Sequence, residues 1–397
     1  MRRKTLLTVV FSFLILLFLS TESFSQDKKE SKKNKEKKEA YQFTVDIELP
    51  HTPVKNQYRT GTCWCFSTTS FVESEVLRIG KGEFDLSEMF TVRHTYPKKA
   101  ELFVRRHGDA TFGQGGQSHD VFNSIKCFGM VPESVYSGLN IGEKLHNHSE
   151  MFSVLNSMVN AVVKRRGGKL TPRWEEAFEA VLDSYLGKVP ESFTYKGQSY
   201  TPKTFAEKVL QFNPDDYVEI TSYSQFPFYS QCMLLIPDNW DFNDKYYNVK
   251  IDELEHIVDS ALKKGYTVVW DGDVSDRNFN TRTKGYAIVP KKDWEDMTKE
   301  ERNKKITEPV EEKNITQEMR DKAYDNYAST DDHLMHIVGI AHDQKGNKYY
   351  YIKNSGGSDR KFNGYMYMSK AYFRLRTIAI ALHKDAVPRK IAKKLNF

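Results

Sequence analysis

Four side chains of this 397-residue sequence have the types and spacing that nucleophilic acyl chemistry needs: Cys63, Gln57 six residues before it, and His333 and Asn354 far downstream. A thiol attacks a carbonyl as the thiolate, so it needs an imidazole to take its proton and a third group to hold that imidazole. Gly61 and Thr62 form a turn. Phe66, Ser70, Phe71, Val76 and Leu77 then recur at a spacing that predicts a helix from Cys63 to near Gly80. At a helix start the dipole lowers a thiol pKa, and the free N–H groups, with the Gln57 amide, can donate to a developing oxyanion. Taken alone, a cysteine in such a place is more often buried filler. Cys65, one turn position on, reads as a core thiol of that kind.

The base must come from residues 330–357. His333 to Ile340 reads as one strand and Tyr349 to Lys353 as the next, joined by a turn over 343–347. An antiparallel pair would bring His333 and Asn354 side by side. His336 is a second imidazole, and three positions along a strand put it on the opposite face, so only one of the two can serve. Asn-Ser-Gly-Gly from Asn354 is also simply a turn sequence.

Together these segments resemble the papain-like cysteine peptidases. Gln57, Gly61, Cys63, Trp64, Phe66 and Ser67 fall in register with the family's nucleophile segment. Asp332, His333 and Gly339 match the histidine segment, and Asn354-Ser355 the asparagine segment, with Gly356 where the family has Trp. Thr60 stands where papain has a disulfide cysteine. On this register the resemblance makes Cys63 the nucleophile, His333 rather than His336 the base, and Asn354 its orienter, with Gln57 in the oxyanion hole. It also places Gly115, Gly116, Trp64 and Asp332 on the substrate side, the double glycine lying along a bound peptide's main chain.

The long middle section, followed by Asp215-Asp216-Tyr217-Val218 and then a helix and a Val-Trp strand over residues 254–270, resembles the bleomycin hydrolase and aminopeptidase C branch. What this implies is an α+β papain-like fold, a helical domain plus an antiparallel β-barrel-like domain, with a helical insertion. The implied activity is peptide hydrolysis through a Cys63 thioester, as an aminopeptidase and often as a ring-shaped hexamer. In that branch a C-terminal arm enters the cleft, and whether Phe397 does so is left open by the sequence. The alternatives are an endopeptidase of the same fold and a catalytically silent peptide-binding relative.

Around these motifs the sequence divides into five stretches. Arg2, Arg3 and Lys4 followed by an apolar run from Leu6 to Leu19 read as a signal peptide over residues 1–25, which makes the protein secreted or periplasmic. Residues 26–40 hold seven Lys and four acidic residues and read as a charged flexible spacer. An N-terminal helical part with the nucleophile (41–143), a largely helical insertion (144–245) and a β-rich C-terminal part with His333 and Asn354 (246–397) follow. The charged stretch 291–320 reads as a solvated helical excursion.

Most of the net charge of +6 lies in the leader and spacer. The folded remainder is near neutral and carries no nucleic-acid footprint. No later segment is long and apolar enough for a bilayer span, so none is expected once the signal is removed. Cys63, Cys65, Cys127 and Cys232 make no disulfide framework and no pair of Cys-x-x-Cys motifs, so neither metal nor cofactor is expected and peptides are the expected partners.

Overall fold

A computed structural model describes residues 40–397. The stretch expected to be a signal peptide and nearly all of the expected spacer therefore lie outside the described residues. Residues 43–304 and 310–397 form one compact unit, and the description below is of that unit.

Its centre is a long mixed sheet. The strands are β1 (Phe43–Glu48), the small hairpin β2 (Phe193–Tyr195) and β3 (Gln198–Tyr200), β4 (Tyr217–Thr221), β5 (Gln231–Cys232), β6 (Tyr246–Asn248), β7 (Val268–Gly272), β8 (Phe279–Asn280), β9 (Tyr286–Ala287), β10 (His333–Asp343), β11 (Lys348–Lys353), β12 (Tyr365–Ser369) and β13 (Thr377–His383). The main sheet runs β5-β6-β4-β13-β7-β10-β11-β12-β9-β8, with β1 added to β10. It is open at both ends and includes two parallel pairs, β4 with β6 and β12 with β9. The barrel-like, antiparallel arrangement expected from the resemblance is thus an open mixed sheet.

β10 is buried along nearly its whole length, as a strand covered on both faces must be. Leu334 points into one core, and its neighbours Met335 and Ile337 into the other. A bulge between Ile337 and Gly339 then lets β10 continue alongside β1. Gly339 sits where any Cβ would overlap the Ile47 carbonyl, so only glycine allows β1 to approach there.

On the first face lie α1 (Cys63–Arg78), α2 (Glu88–Arg105), α3 (Ser118–Phe128), α4 (Ser149–Lys164) and α5 (Arg173–Leu186). α1 is buried all round from Cys63 to Val76, because the sheet covers one side and α2 and α3 the other. Such a helix needs no amphipathic stripe. The opposite face carries a helix at Ile251–Lys263 and another at Arg389–Leu395. Phe397 packs on Tyr247 there, on the side of the sheet away from α1. The stretch 144–245 contributes α4 and α5, but its last third supplies β4 and β5 and a loop that returns to α3. Of the excursion 291–320, only Lys299–Asn303 and the helix that begins at Gln317 are helical. No helix among the described residues is long and apolar enough to cross a membrane.

Candidate active site

Cys63 is the first residue of α1, as the periodicity predicts. Thr62 makes no side-chain cap, and its carbonyl takes the N–H groups of Cys65 and Phe66. The Cys63 and Trp64 N–H groups belong to the first turn, which has no intrahelical acceptor. His333 opens β10, and Asn354 follows β11. The antiparallel register that sets His336 opposite Lys353 brings the two together. His333 Nε2 and Asn354 Oδ1 lie 2.8 Å apart, and Asn354 Oδ1 also accepts from the Ser355 N–H at 2.7 Å. This bond fixes the ring and leaves Nδ1 as the nitrogen able to take up a proton.

A backbone clip binds the loop before Cys63 to the loop after Asn354. Gln57 N–H donates to the Ser355 carbonyl at 2.9 Å, Gly357 N–H donates to the Lys55 carbonyl at 3.2 Å, and Asn56 bridges Gly356. Gln57 Oε1 accepts from Ser355 Oγ at 2.5 Å, and Gln57 Nε2 donates to the Thr60 carbonyl at 2.8 Å. One amide hydrogen of Gln57 is therefore committed to Thr60, and the second is the one left for a ligand. Thr60 Oγ1 in turn bonds Thr62 and the Gln57 carbonyl, bracing the turn that papain braces with a disulfide. All four cysteines are free.

The Arg360 guanidinium lies against Gly356, donating to its carbonyl at 2.8 Å, so it fills the space a larger residue would take. Asn354 remains buried beneath this cover. Sequence gave no hint of Arg360, because it reaches back across a turn. Its charge opposes protonation of His333, whose pKa is lowered mainly by burial and raised in part by Asn354.

The thiol departs from expectation. Burial pushes Cys63 up to about 12, opposed by a backbone hydrogen bond from Leu334 and reinforced by the negative charges of Asp238, Asp331 and Asp271. A helix terminus contributes about 0.3–1 kcal/mol, under one pKa unit. Complete burial shifts a group by several units, so burial wins. Burial thus works against the thiolate at this helix start.

Trp64 is fully buried and donates from Nε1 to the Gln114 carbonyl at 2.9 Å, so it anchors the 113–117 loop to α1 and presents no free face. Gln114 Oε1 also accepts from the Gly61 N–H at 2.9 Å. Gly116 sits against Trp64 and Asp120. The Gly115 carbonyl is taken by buried Lys99, and the Asp238 carboxylate covers the Gly115 α-carbon so closely that a methyl group would overlap it. Asp332 is exposed and bonded to Thr330 and the Val274 N–H. The neighbouring Asp331, which turns the other way, accepts from Gln117 Nε2 at 3.1 Å. His336 lies behind the site: Nδ1 is 2.9 Å from Ser70 Oγ, two helical turns beyond Cys63. Burial keeps it neutral. Cys65 is a core thiol donating to the Glu88 carbonyl.

Fold and site define a cysteine peptidase of papain type: the chain belongs to the Peptidase C1-like family, which it matches over residues 17–397. It is similar to aminopeptidase G of Lactobacillus delbrueckii subsp. lactis, 24% identical over 389 residues that cover 85% of this chain and 82% of that protein. It is also similar to the mitochondrial cysteine proteinase 1 of Saccharomyces cerevisiae, 21% identical over 397 residues that cover 89% and 79%. Among solved structures, PepW from Lactobacillus rhamnosis HN001 shares the fold, with a TM-score of 0.69 over 95% of this chain and 94% of that one at 20% identity.

Proposed function

We propose that the protein is an exported cysteine aminopeptidase in which Cys63 attacks the first peptide carbonyl. His333 Nδ1 takes the thiol proton as the C–S bond forms, and the Cys63 N–H with the second Gln57 amide hydrogen receives the oxyanion. The same proton passes to the departing amine when the C–N bond breaks. Water then attacks the thioester, with His333 again accepting a proton, and releases the free acid and the thiol. Asn354 holds the imidazole throughout.

The observation that carries this reading is the 2.8 Å contact between His333 and Asn354, next to a helix that begins with Cys63. The aminopeptidase assignment is supported by the printed name of the Lactobacillus delbrueckii relative, aligned along most of this chain. Export is supported by the basic start and apolar run of the leader, and the hexamer by resemblance alone.

An epoxysuccinyl inhibitor of papain-like enzymes should label Cys63, and peptides with a free N-terminus should be cleaved in preference to N-acetylated ones. Absence of both labelling and hydrolysis would make the chain a silent peptide-binding relative; equal cleavage of free and blocked peptides would make it an endopeptidase. The mass of the mature protein from the periplasm or medium should begin near Gln26, and light scattering should give six copies per particle.

A further inference from the structure

His333 passes its proton to the departing amine, so the half of a peptide that leaves must lie along the His333 and Asn354 side of Cys63. Arg360 borders that side. Its Nε donates to the Gly356 carbonyl at 2.8 Å, two residues beyond Asn354, and its charge acts on the His333 ring. The side chain is half-buried, and Nε is the only one of its three nitrogens with a hydrogen bond among the described residues. No ion pair among those residues holds the guanidinium. Asp359, next to it in sequence, turns its carboxylate toward Gly357. Asp332, the other charged group that acts on the imidazole, is taken up by Thr330 and the Val274 N–H.

This placement opposes the reaction unless something offsets it. The imidazole carries a positive charge between ionisation of the thiol and loss of the amine, and an uncompensated guanidinium beside it makes that charge more costly. Gly356 is what admits the guanidinium, since a Cβ there would come within 2.6 Å of Arg360 Nε. With Nε committed to the Gly356 carbonyl, the two Nη groups are the fork left open. That fork matches the two oxygens of a planar carboxylate. A carboxylate arriving with the substrate would neutralise Arg360 in the complex in which the proton moves.

We propose that Arg360 is a specificity-determining residue that binds a carboxylate in the leaving half of the substrate, either the terminal carboxylate of a dipeptide or an acidic side chain on the second residue. The inference rests on the aminopeptidase reading and deepens it. Cleavage after the first residue sets the second residue against His333, so its own carboxylates are those within reach of the fork. An amide in the same place offers neither the charge nor the paired acceptors.

The test uses the full-length protein with leucylglycine and leucylglycinamide as one pair, and the α-amides of leucylaspartate and leucylasparagine as a second. In the wild type kcat/KM should favour the carboxylate member of at least one pair by at least about fivefold, chiefly through KM. A preference in the first pair alone identifies the terminal carboxylate, and in the second alone the acidic side chain. The ratio should fall toward one in Arg360→Gln and be kept in part by Arg360→Lys, which retains the charge without the fork. Stoichiometric alkylation of Cys63 certifies that each variant is folded. The wild type also gives a readout that needs no variant. The acid limb of kcat should lie a few tenths of a unit higher for the preferred carboxylate substrate than for its amide, because the bound carboxylate offsets Arg360 beside His333. Equal kcat/KM within both wild-type pairs, or a preference that persists in folded Arg360→Gln, overturns the carboxylate site and leaves the aminopeptidase reading standing. A wild type that cleaves none of the four peptides removes that reading, and the inference with it.

Discussion

The two walls beside Cys63 are built on opposite principles. On one side His333, Asn354, Ser355 and Gln57 form a chain in which the atoms facing one another are hydrogen bonded, and Arg360 covers the turn. On the other, Asp331 and Asp271 are buried against each other and share a hydrogen bond, with Gln117 donating beside them and Asp238 adding a further negative charge. The first wall is complete without substrate, as a group that must hold one proton at one atom has to be. The second holds together through a hydrogen bond between two acids whose burial and repulsion keep them protonated more readily than usual. A site can thus be held on one side by matched donors and acceptors and on the other by a retained proton.

The largest effect that would break this contrast is on the chemical wall. Cys63→Ala should lower kcat by at least about 10⁴-fold, as removal of a nucleophile does elsewhere; residual turnover near the wild-type level would mean that another group reacts. Asn354→Ala should cost on the order of 10–100-fold in kcat with KM little changed, because a freed imidazole spends most of its time misplaced. A change confined to KM would place Asn354 in binding instead.

Stability measurements sharpen the comparison. Ser355→Ala removes a hydroxyl that bonds Gln57 and should destabilise by about 1–3 kcal/mol at any pH, seen in denaturant melts. Asp331→Asn should do the reverse in a pH-dependent way. Its folded pKa of about 7 lies above the unfolded value near ~3.9, so the folded state holds the extra proton. Wild-type stability from this group is present in acid and lost as pH rises from about 4 to 7. The variant should therefore melt above the wild type at pH 8, with the gap closing toward pH 4. A variant less stable than the wild type at pH 8 would show that the hydrogen bonds of Asp331 to Asp271 and Gln117 outweigh the repulsion and burial.

The smallest effect concerns Arg360. Its charge lowers the His333 pKa, so Arg360→Ala should raise it and move the acid limb of the kcat/KM profile upward by a few tenths of a unit. An acid limb that stays in place would mean that the guanidinium serves only as a cover over Gly356.

Much of the chemical wall is legible in the sequence because its parts are local. The helix from Cys63, the hairpin of β10 and β11 and the meeting of His333 with Asn354 all follow from short-range periodicity and a turn. The choice of His333 over His336 rests on alternation along one strand, and Ser70 accounts for His336. The acidic wall is not legible. Asp271 sits in a strand that reads as plain core, and Asp238 in a loop after β5; only the sheet order and the fold of the 217–245 stretch bring them to the thiol. Asp331 and Asp332 are adjacent, and nothing local says which turns inward. The thiol pKa fails for a related reason: a helix start is visible in sequence, whereas the depth of its burial is a property of everything packed around it.

The clip between residues 55–57 and 355–357 joins segments that are 298 positions apart, as measured from Gln57 to Ser355. At about 5–20 residues per second, ribosomal synthesis separates their appearance by on the order of 15–60 s. For most of that interval the nascent chain carries Cys63 without His333, and throughout it without the brace. Competence thus comes only with the last tenth of the polypeptide, and a truncated or stalled product has no means of attacking its neighbours.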